Sequence, residues 1–346
     1  MKKRIFASIA LTLACMFGFS GCSCTGTPLL QFKNSFIGTS DTVDPPSGYT
    51  EVLTYSVKHV DEFGSHFGTG NGLDKEIYEF SNGVYVSTLK TLTSLPETIN
   101  SDIPDSLPSD AKTIYHLNTK FSISVKYTNC AEYLNCENSD GVYNDFIETD
   151  IYFCSYKRAY APIYTKTVSD YSFLVLTSSG NIIRRLKAER ETLYNTTTYT
   201  MYENINNLTD SHTYEYTFMS LIDNAELLFT LRNLDLEEEG RTLIPTVSYT
   251  YGDAQDLLVY NNGDSVELAE VNGIKEDISL AQYSFVKSNT TSAGTEHLVY
   301  IQKKTEEQKQ IAYNSLLYKY VSPLTTYGNI LPMGALVYTL TNVSIS

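Results

Sequence analysis

The sequence predicts a mainly β protein: one large curved antiparallel sheet, half-barrel or sandwich-like, with one central helix around residues 223–234. Three observations carry this. The 346 residues hold 28 Tyr, 15 Phe and no Trp, and Tyr, Phe, Thr and Val pack well on a pleated surface. Segments that alternate apolar and polar residues follow one another between turn signals, and a period of two marks a half-buried strand. Only residues 223–234 break that pattern. Hydrophobic residues make up 42 % of the chain, enough for a packed core and too many for wholesale disorder. Many of the strands run ten residues or more. Long neighbouring strands twist, so with one helix to cover one face the sheet must curl or fold over on itself.

The first stretch sets the location. Lys2, Lys3 and Arg4 precede an apolar run over 5–19, followed by Phe19-Ser20-Gly21-Cys22. This is the layout of a secretory signal. A membrane-spanning anchor needs roughly 20 apolar residues, more than this run supplies. An ordinary cleaved signal shares the layout. The last four residues resemble the lipobox of bacterial lipoproteins, with Phe19 where Leu is usual. In that family the thiol after a small residue receives a diacylglycerol group. The resemblance implies a signal peptide over 1–21, lipidation of Cys22, a lipidated tether over 22–48 and an extracytoplasmic β-rich domain over 49–346. It implies a lipid-anchored protein on the extracytoplasmic face of a bacterial membrane. A boundary between two β subdomains near 130–145 stays open.

Charge narrows the partners. The formal net charge is −15, and Lys2, Lys3 and Arg4 leave with the signal. Such a surface repels nucleic acid and anionic headgroups at long range. No nucleic-acid partner is expected, and the membrane is reached through acyl chains on Cys22. Of the six cysteines, Cys24, Cys130, Cys136 and Cys154 remain to form disulfides outside the cytoplasm. Cys130 and Cys136 are close enough to close a short loop, but the pairing of the four stays open. Their spacing is not that of a zinc site and no His lies near them. No metal or other cofactor is expected.

Each element follows from the residues in order. The tether ends at Pro45-Pro46-Ser47-Gly48. Residues 50–60 alternate as a strand. Residues 63–73 are glycine-rich but lack the Lys and Ser/Thr of a phosphate loop. Residues 77–80 and 84–92 read as a hairpin through Ser81-Asn82-Gly83, since Asn-Gly favours tight turns. Three prolines make 95–110 a loop. Residues 113–128 form a long strand with Phe121, Ile123, Val125 and Tyr127 on one face. A polar loop over 129–144 carries Cys130 and Cys136. Strands follow at 145–156, 160–175, 181–194, 196–204 and 213–218; the stretch 181–194 is richly charged yet alternates. Asp223 can cap a helix by accepting from free backbone N–H groups. Ala225, Leu228, Leu231 and Arg232 then recur at helical spacing. Strands resume at 243–251 and 256–260, with a turn at Asn261-Asn262-Gly263-Asp264. They continue at 266–271, 281–287, 296–303, 315–321 and 334–346, with a charged turn at 304–309.

Within 223–232 lies a run of the form Asp-x(5)-[aromatic or Leu]-x-x-Arg: Asp223, then Phe229, then Arg232. With Tyr160-Ala161-Pro162 upstream and Leu234-Asp235-Leu236 to Pro245 downstream, the order of elements from about residue 150 onward resembles an uncharacterised family of bacterial envelope β-domains. That family usually has Pro where this chain has Asn224 and Ser where it has Glu226. The resemblance implies a concave sheet similar to that of bacterial lipoprotein carriers, which hold acyl chains in a groove. It implies no enzyme.

Catalytic signals are absent from the sequence. His59, His66, His116, His212 and His297 are widely spaced, and no G-x-S-x-G occurs. Glu237-Glu238-Glu239 reads as a solvated turn. The leading reading is a lipid-anchored envelope protein of non-catalytic type. Its concave sheet would bind an apolar or amphiphilic ligand, or a partner protein. Ala225, Leu228, Leu231 and Arg232 would form the helix of the ligand groove. Arg232 could meet an anionic ligand there or pair with a carboxylate of the sheet. The alternatives are a structural or adhesive surface module, with a Tyr-rich sheet as its flat face, and a hydrolase.

Overall fold

The structure is a computed structural model. It describes residues 45–60, 78–100, 113–127, 136, 138, 140–156, 159–177, 180–195, 197–215, 223, 227–232, 234, 240–247, 254–287, 296–303, 315–325 and 332–346. The signal, Cys22, the tether up to residue 44 and Cys130 lie outside these residues, as do His66, Ala225 and the charged turn at 304–309.

The described strands are β1 Thr50–Val60, β2 Tyr78–Leu92, β3 Ile114–Tyr127, β4 Val142–Tyr156, β5 Ala159–Thr177, β6 Gly180–Tyr194 and β7 Thr198–Ile205. They continue as β8 Leu208–Glu215, β9 Arg241–Val247, β10 Ala254–Val271, β11 Ile274–Lys287, β12 His297–Gln302, β13 Leu317–Thr325 and β14 Pro332–Ile345. Two short helices, α1 Glu97–Asn100 and α2 Leu227–Leu231, accompany them. All fourteen strands form one sheet, in the order β8-β7-β6-β5-β4-β3-β2-β1-β14-β13-β12-β11-β10-β9. Each neighbouring pair is antiparallel. The first and last strands pair at the centre, Glu51 opposite Ile345. Across 130–145, β3 and β4 pair directly, Lys126 opposite Val142. The strands β8 and β9 are the two edges. The curl brings these edges together: Val247 of β9 packs in one cluster with Tyr194 of β6 and with Tyr199 and Met201 of β7.

Alternation explains the strands. In β1 the buried positions are every second residue, Leu53, Tyr55 and Val57. In β3 Tyr115, Leu117, Phe121, Ile123, Val125 and Tyr127 do the same. Successive strand residues point to opposite faces, so these sets define the inner face. One large core joins β1–β4 and β9–β14 to Leu227, Phe229, Leu231 and Leu234. The helix therefore sits inside the curled sheet.

Three expectations are corrected. Ser81-Asn82-Gly83 does not close a hairpin: β2 runs through it, with a register shift against β3 between Ser81 and Val84. Asn82 is left-handed, φ 54°. A Cβ on Gly83 would lie 2.3 Å from the Val57 carbonyl oxygen, so only glycine allows the close crossing of β1. Asn261-Asn262-Gly263-Asp264 is likewise a bulge inside β10, not a turn. Finally, α2 is shorter than 223–234 and has no polar face: Leu227, Phe229, Thr230 and Leu231 are all buried. Leu228 is half-buried and packs against the core. A five-residue helix is not stable alone in water, so its surroundings hold it.

Candidate functional site

The segment from Asp223 to Leu234 is bonded to the sheet at several points. At its start the Asp223 carboxylate is fully buried and accepts hydrogen bonds from Tyr194 OH of β6 and from Thr165 Oγ1 of β5, the latter at 2.9 Å. In the middle, Phe229 lies 5.3 Å from the Phe153 ring of β4 and 6.4 Å from the Tyr115 ring of β3. Near its end, Arg232 donates from Nη1 and Nη2 to the two oxygens of Glu51 at 2.6 and 2.9 Å, and from Nε to the Ser315 carbonyl at 2.6 Å. Its guanidinium carbon lies 5.6 Å from the centre of the Phe229 ring. Burial pulls Arg232 towards neutrality, but the Glu51 carboxylate outweighs this and holds it above its ordinary value. Tyr283 OH of β11 donates to the Leu234 carbonyl at 3.3 Å. The three positions of the Asp-x(5)-Phe-x-x-Arg run thus each fasten the segment to a different part of the sheet.

A second feature lies on the same inner face. Thr165 and Tyr194 fix that face on β5 and β6, because both meet Asp223. Two residues on from Thr165 is Thr167, and Arg190 is in phase with Tyr194. The register then places Thr119, Thr149, Thr167, Arg190 and Glu203 side by side on β3–β7. Thr149 and Thr167 hydroxyls are 3.1 Å apart, and Arg190 Nε donates to Glu203 at 2.5 Å. The next rung on one side, Leu117, Ile151, Thr165, Thr192 and Met201, is 2 % exposed or less. On the other side the rung is Phe121, Ile147, Ser169, Ala188 and Ile205. Within the polar rung Thr119, Thr167, Arg190 and Glu203 are only half-buried. Ile147 and Ile205 beside it are half-buried too. The inner wall of β3–β7 thus has a closed floor, a polar row, and an apolar row beyond it. Arg190 Nη2 is buried and has no hydrogen-bond partner among the described residues. A buried donor normally has one.

Further along the wall Asp145 is buried. It accepts from the Ser172 backbone N–H at 2.9 Å and the Ser172 hydroxyl at 3.0 Å, and Tyr127 OH donates to that hydroxyl at 3.1 Å. Burial pushes the Asp145 carboxyl up to about 7, against the pull of the Ser172 bonds and of Arg185.

Cys136 is disulfide-bonded to a residue outside the described ones, while Cys154 is a buried thiol. The described histidines sit on four different strands, His116 against Asp150 at 2.7 Å and His297 stacked on Phe285 in the core. Among the described residues no group of three His, Cys, Asp or Glu side chains could hold a metal ion. Sequence reasoning singled out neither Glu51, Arg190 and Glu203 nor Asp145. The signal for Arg190 was present: it stands in phase with Leu186, Ala188 and Thr192 on one face of an alternating strand.

No family model matches the chain, and no curated protein matches it. A solved β-barrel-like protein of the domain of unknown function DUF1849 from Brucella abortus aligns with 87 % of this chain and 99 % of its own length. Sequence identity is 7 % and the TM-score 0.42.

Proposed function

We propose that the chain is a lipid-anchored envelope protein of non-catalytic type that holds an amphiphilic ligand on the inner face of its curved sheet. The observation that carries this reading is the unmatched Arg190 Nη2 in a half-buried polar row, with Ile147 and Ile205 next to it. A head bearing oxygen acceptors would complete the donors of Arg190, and an apolar tail would lie along the isoleucines. The pair of Arg190 with Glu203 balances the charge, which suits a weakly anionic or hydroxylated head.

The test is mass spectrometry of the lipids that copurify with the protein. Changing Arg190→Gln together with Glu203→Gln avoids leaving one charge buried alone. The double variant should remain folded yet retain about 10-fold less ligand, the effect of losing one hydrogen bond to a charged group. Equal lipid content in both proteins, or none in either, sinks the reading.

We also propose Cys130 as the disulfide partner of Cys136, six residues on. Protein isolated from cells should then show no free thiol at either position. Alkylation of both without reductant would refute it.

A further inference from the structure

The polar row continues past Glu203. In the register of β7 with β8, Asp210 stands directly opposite Glu203. It shares the inner face: Tyr214, four residues on and in the same phase, stacks on the buried Tyr199 with ring centres 5.2 Å apart. His212, also in phase, sets its Nε2 3.3 Å from the Asp210 carboxylate. Each strand from β3 to β8 thus places one polar side chain on the row, at the spacing of neighbouring strands, about 4.8 Å.

The row is closed at one end and open at the other. Thr149 of β4 is buried. The side chains of Arg190, Glu203 and Asp210, on β6, β7 and β8, are 12, 17 and 70 % exposed. The apolar row beside it opens the same way, from buried Ala188 through half-buried Ile205 to exposed Leu208. The strand β8 is an edge of the sheet, so the mouth of the row lies at that edge.

The chemistry at the mouth selects a kind of head. One guanidinium faces two carboxylates, which leaves a surplus negative charge while His212 is neutral. Glu203 already balances Arg190 through Nε, so the free Nη2 offers a hydrogen bond and not an unmatched charge. A phosphate head would meet the surplus carboxylate and be repelled. A neutral head rich in hydroxyls meets no such penalty. A hydroxyl both donates and accepts, so one can accept from Nη2 while others donate to Glu203 and Asp210. Hydrogen bonds to charged groups of this kind are the stronger ones. A sugar ring is about as long as the gap between neighbouring strands, so two linked rings reach all three residues.

We propose that the head of the amphiphile is a neutral sugar seated on Arg190, Glu203 and Asp210, and that Asp210 turns phosphate-bearing heads away. This rests on the amphiphilic ligand proposed above and assigns its class, a glycolipid.

Equilibrium dialysis with hexyl maltoside, hexyl phosphate and maltose separates the two claims. The lipidated full chain, freed of copurified lipid, is held on phosphatidylcholine vesicles, and protein-free vesicles give the blank. Hexyl maltoside should bind about 10-fold more tightly than hexyl phosphate. It should also bind more tightly than maltose, which lacks the tail. Asp210→Asn removes a charge at an exposed position and keeps a hydrogen-bonding side chain there, so the gap between the two hexyl probes should shrink several-fold. Hexyl phosphate bound as tightly as hexyl maltoside, or a gap that Asp210→Asn leaves unchanged, overturns the sugar head and leaves the amphiphile site standing. Maltose bound as tightly as hexyl maltoside shows that no tail is held and overturns both, as does the absence of binding by all three probes.

Discussion

Replacing Arg232 by Met should destabilise the domain by about 3–5 kcal/mol, the cost of removing one partner of a buried ion pair. The side chains of Arg232 and Glu51 are 5 and 2 % exposed, so neither charge can turn to water when the other is lost. Among the described residues Glu51 would then keep Tyr49 OH alone, which donates to it at 3.2 Å. The Ser315 carbonyl would lose its donor as well. The cost also reaches beyond the pair. Arg232 joins α2 to β1, which stands at the centre of the sheet between β2 and β14. Its loss releases the end of a helix too short to persist alone. Replacing both residues, Glu51→Leu with Arg232→Met, should recover much of the loss, because a buried pair is often no more stable than apolar side chains of like size. For contrast, Lys120→Ala should leave stability almost unchanged, since Lys120 is exposed and its partner Glu148 is partly so. Urea unfolding of the three variants separates these outcomes. A loss below about 1 kcal/mol for Arg232→Met would show that the segment is not held from this end.

How much of this was legible follows from which residues carry local information. Strand identity is local: the alternation of β1 and β3 is written in Leu53, Tyr55 and Val57, and in Tyr115 through Tyr127. The interior helix was legible from Asp223 and the apolar residues after it. The burial of Phe229 and Thr230 along with Leu227 and Leu231 was not, because a periodic stripe says nothing about what surrounds it. Turns were misread for a definite reason. Asn82-Gly83 and Asn262-Gly263 carry the residues of a tight turn, yet both are bulges in long strands. Among the described residues, hairpins turn at Asn206-Asn207 and Asn272-Gly273, all four left-handed. A left-handed backbone is needed in both settings, so the same residues serve both. Pairings such as Glu51 with Arg232 join residues 181 positions apart, and only the register of the whole sheet brings them together. The same holds for the row from Thr119 to Glu203: every member is an ordinary strand residue, and four registers make it a row.

Stability should fall as pH rises from about 4 to about 7, and Asp145 should be the cause. The folded chain holds this carboxyl at about 7, against an ordinary value of 3.8. The sign follows from proton counting. Between these two values the folded chain keeps the proton and the unfolded chain has lost it. The folded state then binds more protons, so raising the pH favours unfolding. The effect is complete below the lower value and levels off above the upper one. At 1.36 kcal/mol per unit it could reach about 4 kcal/mol, an upper bound for so buried a group. Asp150 acts in a different window. The hydrogen bond from His116 lowers its value, so its contribution is lost only as the pH falls below the ordinary carboxylate range. Asp145→Asn isolates the first effect. The amide offers an oxygen to the Ser172 N–H and an N–H to the Ser172 oxygen, as the protonated acid does. At pH 4 the variant and the parent should be equally stable within about 1 kcal/mol; at pH 8 the variant should be the more stable by several-fold that margin. Urea midpoints across this range measure the difference directly. A difference that does not change between pH 4 and pH 8 would mean that Asp145 is ionised in the fold throughout, with Arg185 and the Ser172 bonds outweighing its burial.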